Sequence, residues 1–290
     1  MKFDKNTKIL IVGLGLIGGS YAKALSDEGY FVGAIDKKKS SVEYALKNGL
    51  IQVGETSVKK DFVKDFDLIV FALYPHDFIN WIKEYQSFIK PGALITDVTG
   101  VKSFVVENVQ KILRGDLEFV GAHPMAGKEV SGVENADPKI FVGANYIVTP
   151  TKMNTDENVQ AVKDLGRALG FERISSLSPE EHDETVGFLS HLTHCIAVSL
   201  MVSKKSHHLA EYTGDSFRDL TRIAKINDEM WSELFLANKD ELLKQMDLFE
   251  EKFNQLKEDI KNDNREKIRE TLRESTARRK VFDKDAKETK

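Results

Sequence analysis

The chain has 290 residues, 41% of them apolar and 30% charged, with a formal net charge of −4. That is apolar material for one large or two ordinary domains, and the lack of a basic excess argues against nucleic acid or an anionic membrane as a partner. Cys195 is the single cysteine, which excludes an internal disulfide and a cysteine-built metal site.

The polar start, Met1-Lys2-Phe3-Asp4-Lys5-Asn6, has the composition of neither a signal nor a transit peptide. A short apolar run then reads as a buried strand over 9–12 and leads directly into Gly13-Leu14-Gly15-Leu16-Ile17-Gly18. Gly13 suits a tight turn, Gly15 lets the backbone approach a pyrophosphate, and Gly18 lets the following helix pack close to the strand. That helix, 16–28, stops at Gly29, and a second strand over 30–35 ends in Asp36. A carboxylate there hydrogen-bonds an adenine ribose 2′-hydroxyl and repels a 2′-phosphate, so NAD rather than NADP is the expected cofactor.

Strands are further expected over 68–73, 93–96, 119–122 and 146–149, with an edge strand over 171–175. Helices over 41–48, 77–89, 102–113 and 156–169 separate them. Continuous rather than alternating apolar runs mean strands buried on both faces, hence a parallel sheet. After Ser176 the character changes. Ser178-Pro179-Glu180-Glu181 reads as a helix start, and helices are expected over 179–205, 216–224, 228–261 and 265–282. The apolar-rich run 188–202 is short of a membrane span and holds His191 and His194, so a cytoplasmic location is expected. The fold class is therefore α/β: an NAD-binding, Rossmann-type parallel-sheet domain over 1–176, then an all-α substrate and dimerisation domain over 177–290. Leu234, Leu242, Met246, Phe249, Phe253, Leu256 and Ile260 form an apolar stripe at helical spacing, and a helical homodimer is expected from it. The charged tail, 283–290, is expected to be disordered.

Three segments can carry chemistry. Gly121-Ala122-His123-Pro124-Met125-Ala126-Gly127 places a histidine in the turn just after a strand, at the sheet edge where such folds bind ligands. Its unperturbed pKa near 6.5 suits it to take the proton of a carbinol. In Ser190-His191-Leu192-Thr193-His194 the two histidines share a helix face. His182, Asp183, His207 and His208 are available as further metal ligands, but they show no recognised ligand spacing and no metal is expected. Arg218 and Arg222, four residues apart, offer cationic groups for a carboxylate.

In this order the motifs resemble the prephenate dehydrogenase family of tyrosine biosynthesis, with Ser131-Gly132-Val133, Asp219-Leu220-Thr221-Arg222-Ile223-Ala224 and Met230-Trp231 also matching. The resemblance implies a Rossmann-type domain, a helical dimerisation domain and NAD-dependent oxidative decarboxylation of prephenate to 4-hydroxyphenylpyruvate. It implies that His123 accepts the ring-hydroxyl proton. Arg222 would hold the ring carboxylate, with His194 at the side-chain end of the pocket and Ser190 nearby. Glu129, Asp183, Arg218 and Asp219 would form gating polar networks. The chain departs from the family in two places. The serine or threonine that meets the ring hydroxyl in many members falls on Gly100, leaving Thr99 as a substitute only if the loop shifts. Thr193 stands where proline is common. An arogenate (cyclohexadienyl) dehydrogenase would share the same cleft chemistry. A β-hydroxyacid dehydrogenase would need a catalytic lysine where this chain has a histidine pair. An NAD-sensing regulator would leave His123 and Arg222 without a purpose.

Overall fold

The computed structural model describes residues 1–205 and 208–282. His207 and the tail over 283–290 lie outside the described residues. Met1–Lys239 form one compact unit, and a second begins at Asp240.

The first unit is built on a six-stranded parallel sheet of β1 (Lys8–Val12), β2 (Phe31–Ile35), β3 (Val53–Glu55), β4 (Leu68–Phe71), β5 (Leu94–Asp97) and β6 (Glu118–Phe119). Their order is β3-β2-β1-β4-β5-β6, so the direction of winding reverses beside β1, where open sheets of this kind form their ligand crevice. The continuous apolar runs are explained by β1. Ile9 and Ile11 enter the core on one face, Leu10 and Val12 the core on the other, and all four are buried. The crossovers are α1 (Leu16–Asp27), α2 (Lys39–Lys47), α3 (Lys60–Val63), α4 (Pro75–Tyr85) and α5 (Ser103–Ile112).

The expected single strand over 119–122 is divided between two sheets. β6 ends at Phe119, Val120 N–H still bonds the Ile95 carbonyl at 3.0 Å, and β7 (Gly121–Pro124) then enters a second sheet. There it pairs antiparallel with β8 (Asn145–Thr149), which runs parallel to β9 (Arg173–Ser176). Gly121 makes the switch feasible: a Cβ there would sit 2.5 Å from Thr149 Oγ1, so only glycine lets the strands close. His123 consequently lies within β7, opposite Ile147, and not in a turn after a strand. α6 (Asp156–Ala168) covers this sheet through Val162 and Leu165.

A single helix, Pro179–Val202, follows. It comprises α7 (Pro179–Val186), a π-helical segment Gly187–Leu192 and α8 (Thr193–Val202). Ser178 and Glu181 form a reciprocal capping box at its start. With 24 residues and a mean hydropathy of 1.5 over its best window, this helix is long and apolar enough by length and composition to cross a membrane. The shorter run noticed in the sequence is extended by α7, whose His182 and Asp183 are buried. α9 (Asp215–Thr221), the 3₁₀ turn Arg222–Ala224 and α10 (Asp228–Ala237) complete the unit. The expected continuous helix over 228–261 breaks at Asn238, because that amide turns inward to bond the Asp183 carbonyl at 2.9 Å and lies 3.2 Å from His191 Nδ1.

From residue 240 the chain continues along α11 (Lys239–Lys261) and returns in α12 (Arg265–Arg279). The turn between them uses Asp263 at φ 52°, and Asn264 caps α12. Leu242 is buried, whereas Met246, Phe249, Phe253 and Ile260 remain exposed along the expected apolar stripe.

Candidate active site

The glycine turn between β1 and α1 has the geometry that a dinucleotide requires. Gly13 has φ 98°, and a Cβ at Gly18 would fall 1.9 Å from the Gly13 carbonyl, so the turn is closed by two residues that cannot carry side chains. Gly15, by contrast, has nothing within 4 Å of a Cβ position and leaves the mouth of the turn open. No side chain caps α1, so its first N–H groups remain available to phosphate oxygens. At the end of β2, Asp36 accepts the Leu14 N–H and the Lys38 N–H, each at 2.7 Å. The carboxylate is thereby fixed beside the turn. Leu14, Leu16 and Ile17 lie in the same turn and at the start of α1, and the open turn with its fixed carboxylate fits NAD.

His123 sits on β7 with its ring against His182. Its Nδ1 lies 2.8 Å from His182 Nε2, and His182 Nδ1 lies 2.8 Å from Asp183 Oδ1. Asp183 in turn accepts the N–H groups of Lys102 and Ser103, both at 2.8 Å, and so caps α5. Burial, reinforced by His182, Lys102 and His191, pushes the His123 pKa well below its ordinary value. Burial likewise lowers His182, against the opposing pull of Asp183. The Asp183 carboxyl would be raised by burial, yet the bonds from His182 and the two backbone N–H groups hold it below the usual range.

Beneath this chain lies a fully buried ion pair. Lys102 Nζ is 2.6 Å from Asp97 Oδ2 and 2.9 Å from Thr99 Oγ1, and both charged side chains have no solvent exposure. Asp97 also accepts the Ala122 N–H at 3.0 Å, which ties the end of β5 to the residue before His123. The single hydrogen of the Thr99 hydroxyl has two acceptors within reach, an Asp97 carboxylate oxygen and the Val101 carbonyl at 2.9 Å. It is thus engaged in the floor of the site. Gly100 is the residue that faces the histidine: a Cβ there would stand 3.8 Å from His123 Cε1 and 3.5 Å from Leu234, ordinary contacts that accommodate a side chain.

The remaining expected residues lie at the rim. Arg222 is exposed and forms an ion pair with Glu129 from the segment after β7. His194 stacks on Trp231 with ring centroids 3.7 Å apart, and its Nδ1 lies 2.8 Å from the Ser190 carbonyl. Burial lowers its pKa, with Glu129 and Arg222 close enough to act in opposite directions. The π-helical turn carries Ser190, whose carbonyl accepts the Thr193 hydroxyl at 2.7 Å. Arg218 pairs with Asp215 at 3.0 Å and Asp219 is exposed; neither is drawn into the His123 cluster. His191 turns inward, its pKa pushed down by burial to about 4. Sequence reading passed over the roles of His182, Lys102 and Asn238. The one available signal was the adjacent His182-Asp183 pair in the first turns of a capped helix.

Two family models match the chain: the prephenate dehydrogenase nucleotide-binding domain over residues 21–173 and the prephenate dehydrogenase dimerization domain over 178–274. The chain belongs to the prephenate dehydrogenase family. Membership makes it an NAD-dependent dehydrogenase. A prephenate dehydrogenase of Bacillus subtilis is 34% identical over 249 residues, spanning 82% of this chain but 66% of the relative's length. A cyclohexadienyl dehydrogenase of Zymomonas mobilis is 29% identical over 96% of both chains. The crystal structure of prephenate dehydrogenase from A. aeolicus in complex with hydroxyphenyl propionate and NAD⁺ superposes with a TM-score of 0.87. It shares 34% identity, and the match covers 96% of this chain and 98% of that one.

Proposed function

We propose that the protein catalyses the NAD-dependent oxidative decarboxylation of prephenate to 4-hydroxyphenylpyruvate. The observation that carries this reading is His123: a histidine kept neutral by burial, on the ligand-binding edge of the fold, beside the open face of Gly100. NAD⁺, when bound on Gly13, Gly15, Gly18 and Asp36, supplies the hydride acceptor for the ring carbinol carbon. His123 holds the ring hydroxyl and takes its proton into the neutral imidazole. Arg222 exchanges its Glu129 partner for the ring carboxylate, and Glu129 thereby gates access. An arginine gripping the departing carboxylate stabilises the ground state, so its benefit is binding and orientation. His194 and Ser190 meet the keto-acid side chain, and Asp183 anchors the interior. Arg218 and Asp219 belong to the polar surround of the rim. Thr99 supports the floor rather than the ring hydroxyl.

The boundary between residues 176 and 177 separates the sheet-bearing part of the compact unit Met1–Lys239 from its helical part, and the exposed stripe of Met246, Phe249, Phe253 and Ile260 is covered by a second copy of the chain. The single cysteine, Cys195, fits a cytoplasmic enzyme. Purified protein given NAD⁺ with prephenate or with arogenate, followed by NADH absorbance, tests the substrate. NADH formation with prephenate is expected; turnover confined to arogenate would move the assignment to the amine-bearing substrate.

A further inference from the structure

We infer that His182 is a positioning residue that fixes the tautomer of His123, with the proton on Nδ1 and the lone pair on Nε2. The inference rests on the reading of His123 as the proton acceptor, and it starts from groups whose hydrogens are not adjustable. The backbone N–H groups of Lys102 and Ser103 can only donate, and both donate to Asp183 at 2.8 Å. Asp183, 2% exposed, is therefore an ionised acceptor. Its Oδ1 stands 2.8 Å from His182 Nδ1, so that nitrogen must carry a hydrogen. His182 has no solvent exposure, and burial holds its pKa below the ordinary value despite Asp183, which favours the neutral ring with Nε2 bare. The only hydrogen that can occupy the 2.8 Å gap to His123 belongs to His123 Nδ1. In a neutral His123 the remaining nitrogen, Nε2, is then the proton acceptor. Two peptide N–H groups at the start of α5 thus dictate, through one carboxylate and one imidazole, which nitrogen faces the substrate.

The same chain favours the product of proton transfer. Once Nε2 has taken the ring-hydroxyl proton, the imidazolium still donates from Nδ1 to His182, with the Asp183 charge behind it. Without His182, the His123 ring loses its only side-chain hydrogen bond among the described residues and can rotate or carry its proton on Nε2. Binding of prephenate through Arg222 would be untouched, because that contact lies on a different segment.

Histidine-selective ¹⁵N NMR of the wild-type protein reads the tautomer directly, and His123→Asn identifies the signal. Protonation at His123 Nδ1 is expected, and protonation at Nε2 would overturn the inference whatever the substrate proves to be. Kinetics give an independent reading. His182→Leu is expected to lower kcat about 10²-fold while KM for prephenate and for NAD⁺ stays within about threefold. His182→Gln, whose amide oxygen can accept the same bond, is expected to recover all but about tenfold of the wild-type kcat. Wild-type kcat in His182→Leu, in an enzyme where His123→Asn is impaired, would refute the role of His182. Full activity in His123→Asn would instead refute the function assigned to His123.

Discussion

The two halves of the site are built on opposite principles. Around His123 the charged groups are buried and multiply bonded: Asp97 and Lys102 have no exposure, and Asp183 is held by three donors. At the rim, Arg222 and Glu129 are 65% and 39% exposed and hold each other through one ion pair. Removing one partner of a buried pair leaves an uncompensated charge, at about 3–5 kcal/mol, whereas an exposed pair contributes about 0–1 kcal/mol. The inner tier is rigid because its alternatives are expensive. The outer tier can trade partners cheaply, which is what the proposed binding of a substrate carboxylate by Arg222 requires.

Perturbing each tier in turn sharpens this contrast. Asp97→Ala strands the Lys102 ammonium and frees the Ala122 N–H, and urea unfolding is expected to show a loss of about 3–5 kcal/mol. Acid should attack the same tier next. Burial depresses His123, His182 and His191, so the unfolded chain binds protons that the folded one refuses. Their stabilising contribution is complete above the unfolded value near 6.5 and is lost as pH falls toward the folded value. For His191, depressed to about 4, that loss approaches about 3 kcal/mol, and His191→Gln should remove this part of the pH dependence of unfolding. Asp36→Ala is expected to shift the NAD⁺/NADP⁺ preference in kcat/KM toward NADP⁺ by at least about tenfold, or about 1.4 kcal/mol. An unchanged ratio would show that this carboxylate does not face the ribose. Smallest of all, Glu129→Gln should change the unfolding free energy by less than about 1 kcal/mol.

The same contrast explains what could be read from the sequence. The glycine turn, Asp36 and the buried strands were legible because each is a local pattern: fixed glycine offsets, a continuous apolar run, an acid at the end of the second strand. His123 was legible as a residue but misplaced in its element. The run 119–122 looks like one strand, and only the tertiary closeness of Gly121 to Thr149 divides it between two sheets. His182 was illegible as a partner of His123, since 59 residues separate them and nothing local marks a histidine on a helix as facing a strand. Asn238 lies within helical periodicity, and its break follows from bonds to Asp183 and His191 that no window of sequence contains. Thr99 replaces the hydroxyl missing at Gly100 only if the loop shifts, and in this structure its hydroxyl lies against Asp97 and the Val101 carbonyl.

The division between an inner tier that performs chemistry and an outer tier that binds is tested most directly by measuring kcat and prephenate KM for His123→Asn and Arg222→Gln side by side. His123→Asn is expected to lower kcat by about 10²- to 10⁴-fold with little change in KM. Arg222→Gln is expected to raise KM by more than about fivefold, or about 1 kcal/mol, with a much smaller effect on kcat. Near-normal kcat in His123→Asn, or an Arg222→Gln defect confined to kcat, would contradict it.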